Sequence, residues 1–186
     1  MPKPHRLEKP LDSFVREIAL CVATHGDKGP ALFWPEDFDT LPELQRLARS
    51  GRPPEGRPYR GGARSRRSDG QTQRLGAADP ETELLAAALG ELLDLRVRAS
   101  YRFLPSAAVG ARQASAAAEY IVTVLEGACR CRVTRDTGVA GGPAGDAVDL
   151  RLRAGGTLFV PRDHAYGLLD VHTPTVLMEL VLGEQH

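Results

Sequence analysis

The sequence predicts a mainly β fold with helices gathered at its N-terminus, an α+β arrangement. Two observations carry this. From about residue 95 the chain breaks into short runs rich in Val, Leu and Thr, separated by Gly, Pro and Asp. Before that point, apolar residues recur at the three-four spacing of helices. A length of 186 residues with 42% hydrophobic content suits one compact core with a small appended lobe. The reading divides the chain into a helical region, 1–94, carrying an Arg-rich loop at 46–74, and a β-barrel region, 95–186.

Asp12 or Ser13 is placed to cap a first helix through FVREIALCVATHG, with Phe14, Ile18 and Cys21 on one face and Gly26 as its stop. ALFWP is a short apolar run closed by Pro35, most simply a strand. Asp39-Thr40-Leu41-Pro42 opens a second helix with proline in its first turn. Asp79-Pro80 starts a third, ETELLAAALGELLDL, whose Leu84, Leu85, Ala88 and Leu92 follow a buried stripe.

Six runs then read as strands: RVRASYRFL, EYIVTVLEG, CRCRVTR, VDLRLRAG, GTLFVP and TVLMELVL. Several alternate strictly. Arg130 and Arg132 flank Cys131, and Arg151 and Arg153 flank Leu152. Period two sends arginines to one face and apolar residues to the other, so a small antiparallel barrel or sandwich with a packed face and a wet face is expected.

The formal net charge is zero, with 24 basic and 24 acidic residues. It is unevenly spread. Nine arginines lie between Arg46 and Arg74 against Glu55 and Asp69, a local net of +7. The plain reading is a solvated loop; the sharper one is a docking arm for an anionic partner such as RNA, a phosphorylated ligand or an acidic peptide. Tyr59 is its sole aromatic, few for a single-strand nucleic-acid binder. No apolar run nears the ~18–20 residues of a membrane span, and the first residues lack a signal-peptide core. The three cysteines do not suggest a disulfide framework. A soluble, cytoplasmic, reduced protein without a membrane partner is expected.

Two segments resemble the cupin superfamily and, within it, the JmjC-like (Jumonji C-type) hydroxylase branch. Glu119 to Gly127, followed by ACRCRV, is similar to the strand, Glu-Gly turn and return strand of a cupin. Leu152 to Tyr166 is similar to the glycine turn, strand and proline of the second cupin motif. PALFW and the following LPELQRLA resemble the lead-in of JmjC-like hydroxylases. The resemblance implies a cupin-like double-stranded β-helix barrel. It also implies an Fe(II) held by His-x-Asp/Glu and a distant His, with positions left for 2-oxoglutarate and oxygen.

Counted from Glu126-Gly127, the family's His-x-Asp falls on Ala114-Ser115-Ala116, and its distal His on Tyr166. In the general cupin register the chain offers Arg112, Gln113, Glu119 and Tyr120, without histidine. No metal site is therefore expected at the motif positions. Cys129 and Cys131 with His164, His172 or Glu119 could form a soft zinc site, although two buried wall cysteines are the simpler reading. Asp163-His164 is a weak acid–base pair, since neighbours on a turn usually point apart. No nucleophile elbow, P-loop or dinucleotide fingerprint is present.

Two functions are expected, of different class. The first is a barrel lacking the iron triad that binds a small molecule or peptide, or assists a partner enzyme. Its ligand would meet Tyr101, Arg112, Gln113, Thr123, His164 and Tyr166, with no cofactor. The second is an active cupin-type enzyme, an oxygenase or hydroxylase, isomerase or cyclase, rearranged around His164, His172 and Glu119. It would use a divalent metal (Fe, Mn, Ni or Zn) or acid–base chemistry. Pairing of two copies is compatible with either.

Overall fold

The computed structural model describes residues 7–50, 73–75, 79–106, 112–113, 117–135 and 147–183. Of the Arg-rich stretch, residues 51–72 lie outside them, as do Ala114 and Ala116.

Helix α1 runs over Lys9–His25 and buries Leu11, Phe14, Val15 and Ile18. Its start is earlier than Asp12 or Ser13. Glu8 is the capping position and makes no side-chain cap, while Pro10 occupies the first turn. Asp12 and Ser13 instead serve i,i+4 pairs, to Arg16 at 3.1 Å and Glu17 at 3.3 Å. Strand β1 (Ala31–Phe33) and helix α2 (Thr40–Ser50) follow. Arg46 and Arg49 therefore sit on a helix rather than in a loop, and Arg46 pairs with Glu43 and Glu81. Arg74 belongs to a short strand, β2 (Gln73–Leu75).

Helix α3 (Pro80–Leu93) is capped as expected: the Asp79 carboxylate accepts from the Glu81 and Thr82 amides at 2.9 and 3.1 Å. The buried stripe, however, is Thr82, Leu85, Ala86 and Leu89, and Leu92 is 57% exposed. Leucine and alanine occupy nearly every face of this helix, so spacing alone did not fix the phase. A polar contact does: Thr82 Oγ1 lies 2.8 Å from the Tyr101 hydroxyl and turns that face to the sheet.

The strands after residue 95 are β3 (Arg96–Leu104), β4 (Arg112–Gln113), β5 (Glu119–Glu126), β6 (Ala128–Arg135), β7 (Ala147–Arg153), β8 (Thr157–Val160), β9 (His164–Leu169) and β10 (Thr175–Gly183). All six expected strands form. HAYGLL was not read as a strand, because Gly167 interrupts an already short apolar run. Its whole length pairs with Arg130–Arg135 of β6, and it becomes β9.

Two antiparallel sheets face each other. One has the order β1-β8-β5-β10-β3-β2, the other β4-β9-β6-β7. The N-terminal region thus adds β1 and β2 to the two ends of the larger sheet.

Side-chain alternation divides two cores. On one face of the larger sheet, Tyr101, Ile121, Leu125, Phe159, Met178 and Leu180 pack under Phe14, Ile18, Leu44, Leu47, Leu85 and Leu89 of the helices. On the other, Tyr120, Val122, Val124, Leu158, Val160 and Leu177 meet Cys129, Cys131, Val133, Leu152, Tyr166 and Leu168 of the smaller sheet. Each fully buried leucine or phenylalanine contributes about 1.5–3 kcal/mol by leaving water. The smaller sheet turns Arg130, Arg132, Arg151 and Arg153 outward, where Arg130 and Arg132 pair with Asp149 and Asp170.

One turn has no alternative residue. Gly127, between β5 and β6, has φ +81, and a Cβ there would overlap Pro174 O and lie 2.7 Å from Thr175 Oγ1. Gly127 O in turn receives the Ala154 amide at 3.2 Å, tying the two glycine turns together.

Candidate functional site: the barrel interior and its mouth

Charged residues are rare inside an apolar barrel because an unpaired buried ion is very costly. Among the described residues this interior holds two. Arg102 on β3 and Glu179 on β10 have side chains 6% and 2% exposed, with Arg102 Nη2 donating to Glu179 Oε1 at 2.8 Å. The other carboxylate oxygen accepts the hydroxyl proton of Tyr166 on β9. Tyr166 also meets Tyr120 edge to face, centroids 5.4 Å apart at 70°. One carboxylate thus joins neighbouring strands of the larger sheet to the smaller sheet across the barrel. Arg102 Nε is buried and has no hydrogen-bond partner among the described residues.

Above this network the barrel opens. Val133 lies opposite Tyr166 across β6 and β9, and Arg135 lies opposite His164 two residues further on. Both pairs alternate with the outward residues, so they share the inner face. Val133, Arg135 and His164 line a cleft of about 660 Å³ with Glu119, Val148, Arg162 and Asp163, closed on one side by Gly26–Pro30 after α1. Asp163 takes a left-handed turn at φ +67, and His164 Nδ1 lies 3.3 Å from Arg162 O rather than on Asp163.

The expected site residues separate into groups. His164 and Glu119 share the cleft; His172 is exposed in the connection from β9 to β10. Tyr166 is interior, at 1% exposure. Arg112 and Gln113 form β4 and pair with Leu168 and Gly167.

Tyr101 and Thr123 do not line the barrel. Tyr101 packs under the helices and bonds Thr82; Thr123, opposite Thr157 and Met178, bonds the Thr157 hydroxyl at 3.1 Å. Both are one residue out of phase with the inner face. Burial in the Tyr101 hydroxyl's surroundings pushes its pKa up to about 12.

Cys129 and Cys131 are inner-wall residues, 2% and 0% exposed, remote in kind from the exposed His172. Burial raises their thiols to about 11 and about 12, the reverse of what a metal thiolate needs. The soft two-thiolate site is not formed.

Arg102, Glu179 and Arg135 were missed in the sequence. The signal was there for the first two: a lone glutamate inside TVLMELVL, and an arginine beside a buried aromatic, both call for a partner.

Neither protein-family models nor curated protein sequences give a match. Solved structures do. The non-heme α-ketoglutarate-dependent epimerase SnoN from nogalamycin biosynthesis aligns with a TM-score of 0.62, at 16% identity, over 92% of this chain and 83% of its own. A prolyl-4-hydroxylase from Pseudomonas putida aligns at 0.59, with 14% identity, over 90% of this chain and 99% of that one. The barrel is a cupin fold. The chain spans only 25% of hazelnut vicilin and 45% of RmlC from Streptococcus suis, at TM-scores of 0.40 and 0.36.

Many cupins carry a metal, and the described donors of this cupin barrel do not fit one. No group of three His, Cys, Asp or Glu side chains gathers among the described residues. Glu179, the interior carboxylate, is held by a guanidinium and a phenol. The orphaned interior atom, Arg102 Nε, is a donor and calls for an acceptor rather than a cation.

Proposed function

We propose that the protein is a binding cupin, akin to the JmjC-like branch, that takes a small polar molecule at the barrel mouth without an iron triad. One observation carries the reading. Tyr166, at the position of the family's distal histidine, donates its hydroxyl to Glu179, which Arg102 also holds. The Glu179 carboxylate is thus balanced by a guanidinium, the network is close to charge-neutral, and no set of three metal-ligating side chains gathers with it among the described residues. The mouth above it supplies ligand chemistry: Arg135 and His164 as donors, Glu119 as acceptor, and Val133 and Val148 as an apolar wall.

Metal analysis of protein purified without chelators tests this, together with thermal-shift titration of small carboxylates and amino acids. Metal well below one equivalent is expected. So is a ligand-dependent rise in Tm that Arg135→Ala abolishes. Near-stoichiometric iron, manganese, nickel or zinc overturns the reading.

A second reading has its own support, because His164 and Glu119 line the same cleft. A metal-free isomerase or cyclase would use them as an acid–base pair. Turnover of a ligand found above, lost in both His164→Gln and Glu119→Gln, would favour it; unchanged ligand after long incubation would exclude it. His172 has no part in this version.

A further inference from the structure

We propose that the slot between α1 and the free edge of β1 binds an extended, basic peptide segment as an added strand. Strand β1 pairs with β8 on one side, and nothing among the described residues pairs with its other edge. Such an edge presents a row of unused N–H and C=O groups. A groove of about 480 Å³ lies along it, with Leu20, Cys21 and Thr24 of α1 as one wall and Ala31 to Trp34 as the other. A slot between a helix and an open strand edge is the geometry in which peptides are bound by strand addition: the backbone supplies affinity, and alternate side chains supply specificity.

The side chains around the slot suit a partner rather than water. Leu20 is 69% exposed and Trp34 56%; these are two of the five large hydrophobics exposed among the described residues, and both line the slot. Clustered exposure of this kind marks interaction surfaces. Glu17 and Glu36 stand on the lining, and no lysine or arginine does. One face of an added strand would rest on Leu20 and Trp34, while its basic side chains meet the two glutamates. Pro30 and Pro35 bracket the edge, which limits pairing to roughly three to five residues, because proline offers no N–H.

Trp34 is the chain's single tryptophan, so its fluorescence reports the slot directly. The probe is acetyl-Lys-Val-Lys-Val-Lys-amide, titrated into the full chain beside its Lys→Glu counterpart and a version N-methylated at alternate residues. A saturable change with a Kd in the micromolar to low millimolar range is expected for the basic peptide. N-methylation, Glu36→Lys and Leu20→Asp should each weaken it by about tenfold or more. Both variant positions are exposed, so their melting temperatures should match wild type. The proposal falls if the basic peptide gives no saturable change, if the acidic one binds equally, or if N-methylation has no effect. It falls equally if sedimentation finds a wild-type dimer that Leu20→Asp dissociates, since the slot would then be an interface between copies.

Discussion

Arg102 Nη2 lies 2.8 Å from Glu179 Oε1, with both side chains all but closed to solvent. A buried pair of this kind is asymmetric in its energetics. Its two desolvation costs roughly cancel its attraction, but either ion left alone is heavily penalised. Glu179→Ala should therefore cost about 3–5 kcal/mol, because it strands the Arg102 charge. Arg102→Met combined with Glu179→Leu should recover most of that loss, to within about 1–2 kcal/mol of wild type. Urea unfolding of the single and double variants measures the coupling. Additive losses would mean the two side chains do not act as a unit.

The turn between β5 and β6 admits only glycine. Gly127→Ala should cost about 2 kcal/mol or more, since it adds a left-handed strain to a Cβ pressed on Pro174 O and Thr175 Oγ1. Thermal melting checks this directly, with Gly29→Ala as the control. Gly29 also has positive φ, but nothing lies within 4 Å of its Cβ position, so its loss should be the smaller of the two.

Alkaline pH should unfold the protein through its inner-wall thiols. Burial holds Cys129 at about 11 and Cys131 at about 12, against 9.0 for an exposed thiol. Above pH 9 the unfolded chain releases protons that the folded chain keeps. Stability is therefore complete below pH 9 and falls as pH rises toward 11–12. The slope is about 1.4 kcal/mol per pH unit for each thiol. Cys131→Val should remove one thiol's share of that slope while leaving stability at pH 7 nearly unchanged. A slope identical to wild type would refute the assignment.

At the start of α3, Asp79→Ala should lower stability by about 0.5–2 kcal/mol, since it removes the acceptor for the Glu81 and Thr82 amides. Asp79→Asn should restore most of it. Far-UV circular dichroism during urea unfolding distinguishes the two variants.

Local rules in the chain determined a good deal. Asp79-Pro80 opens a helix because aspartate accepts the first free amides and proline needs none. CRCRVTR alternates in the sequence and in the structure, with burial running buried, exposed, buried, exposed, buried from Cys129 to Val133, because one face of its sheet meets water and the other the barrel. The Glu126-Gly127 turn and the glycines at 155 and 156 sit where the cupin resemblance put them: Gly127 and Gly155 have positive φ, and a Cβ at Gly156 would lie 3.0 Å from Arg153 O.

Where both faces of an element are buried, the sequence stops discriminating. EYIVTVLE and TVLMELVL are buried almost throughout, one side under the helices and the other inside the barrel. Their residues are apolar on both faces, so nothing local says that Thr123 points out and Glu179 in. Tyr101 was misdirected for the same reason. Its face was set by the register of β3 against β10 and by the arrival of Thr82 from a helix nineteen residues earlier. The Arg102–Glu179–Tyr166 network joins positions 77 and 13 residues apart in the chain. Only closure of the barrel decides which residues meet inside, because alternation gives a strand two faces but not which of them the fold turns inward.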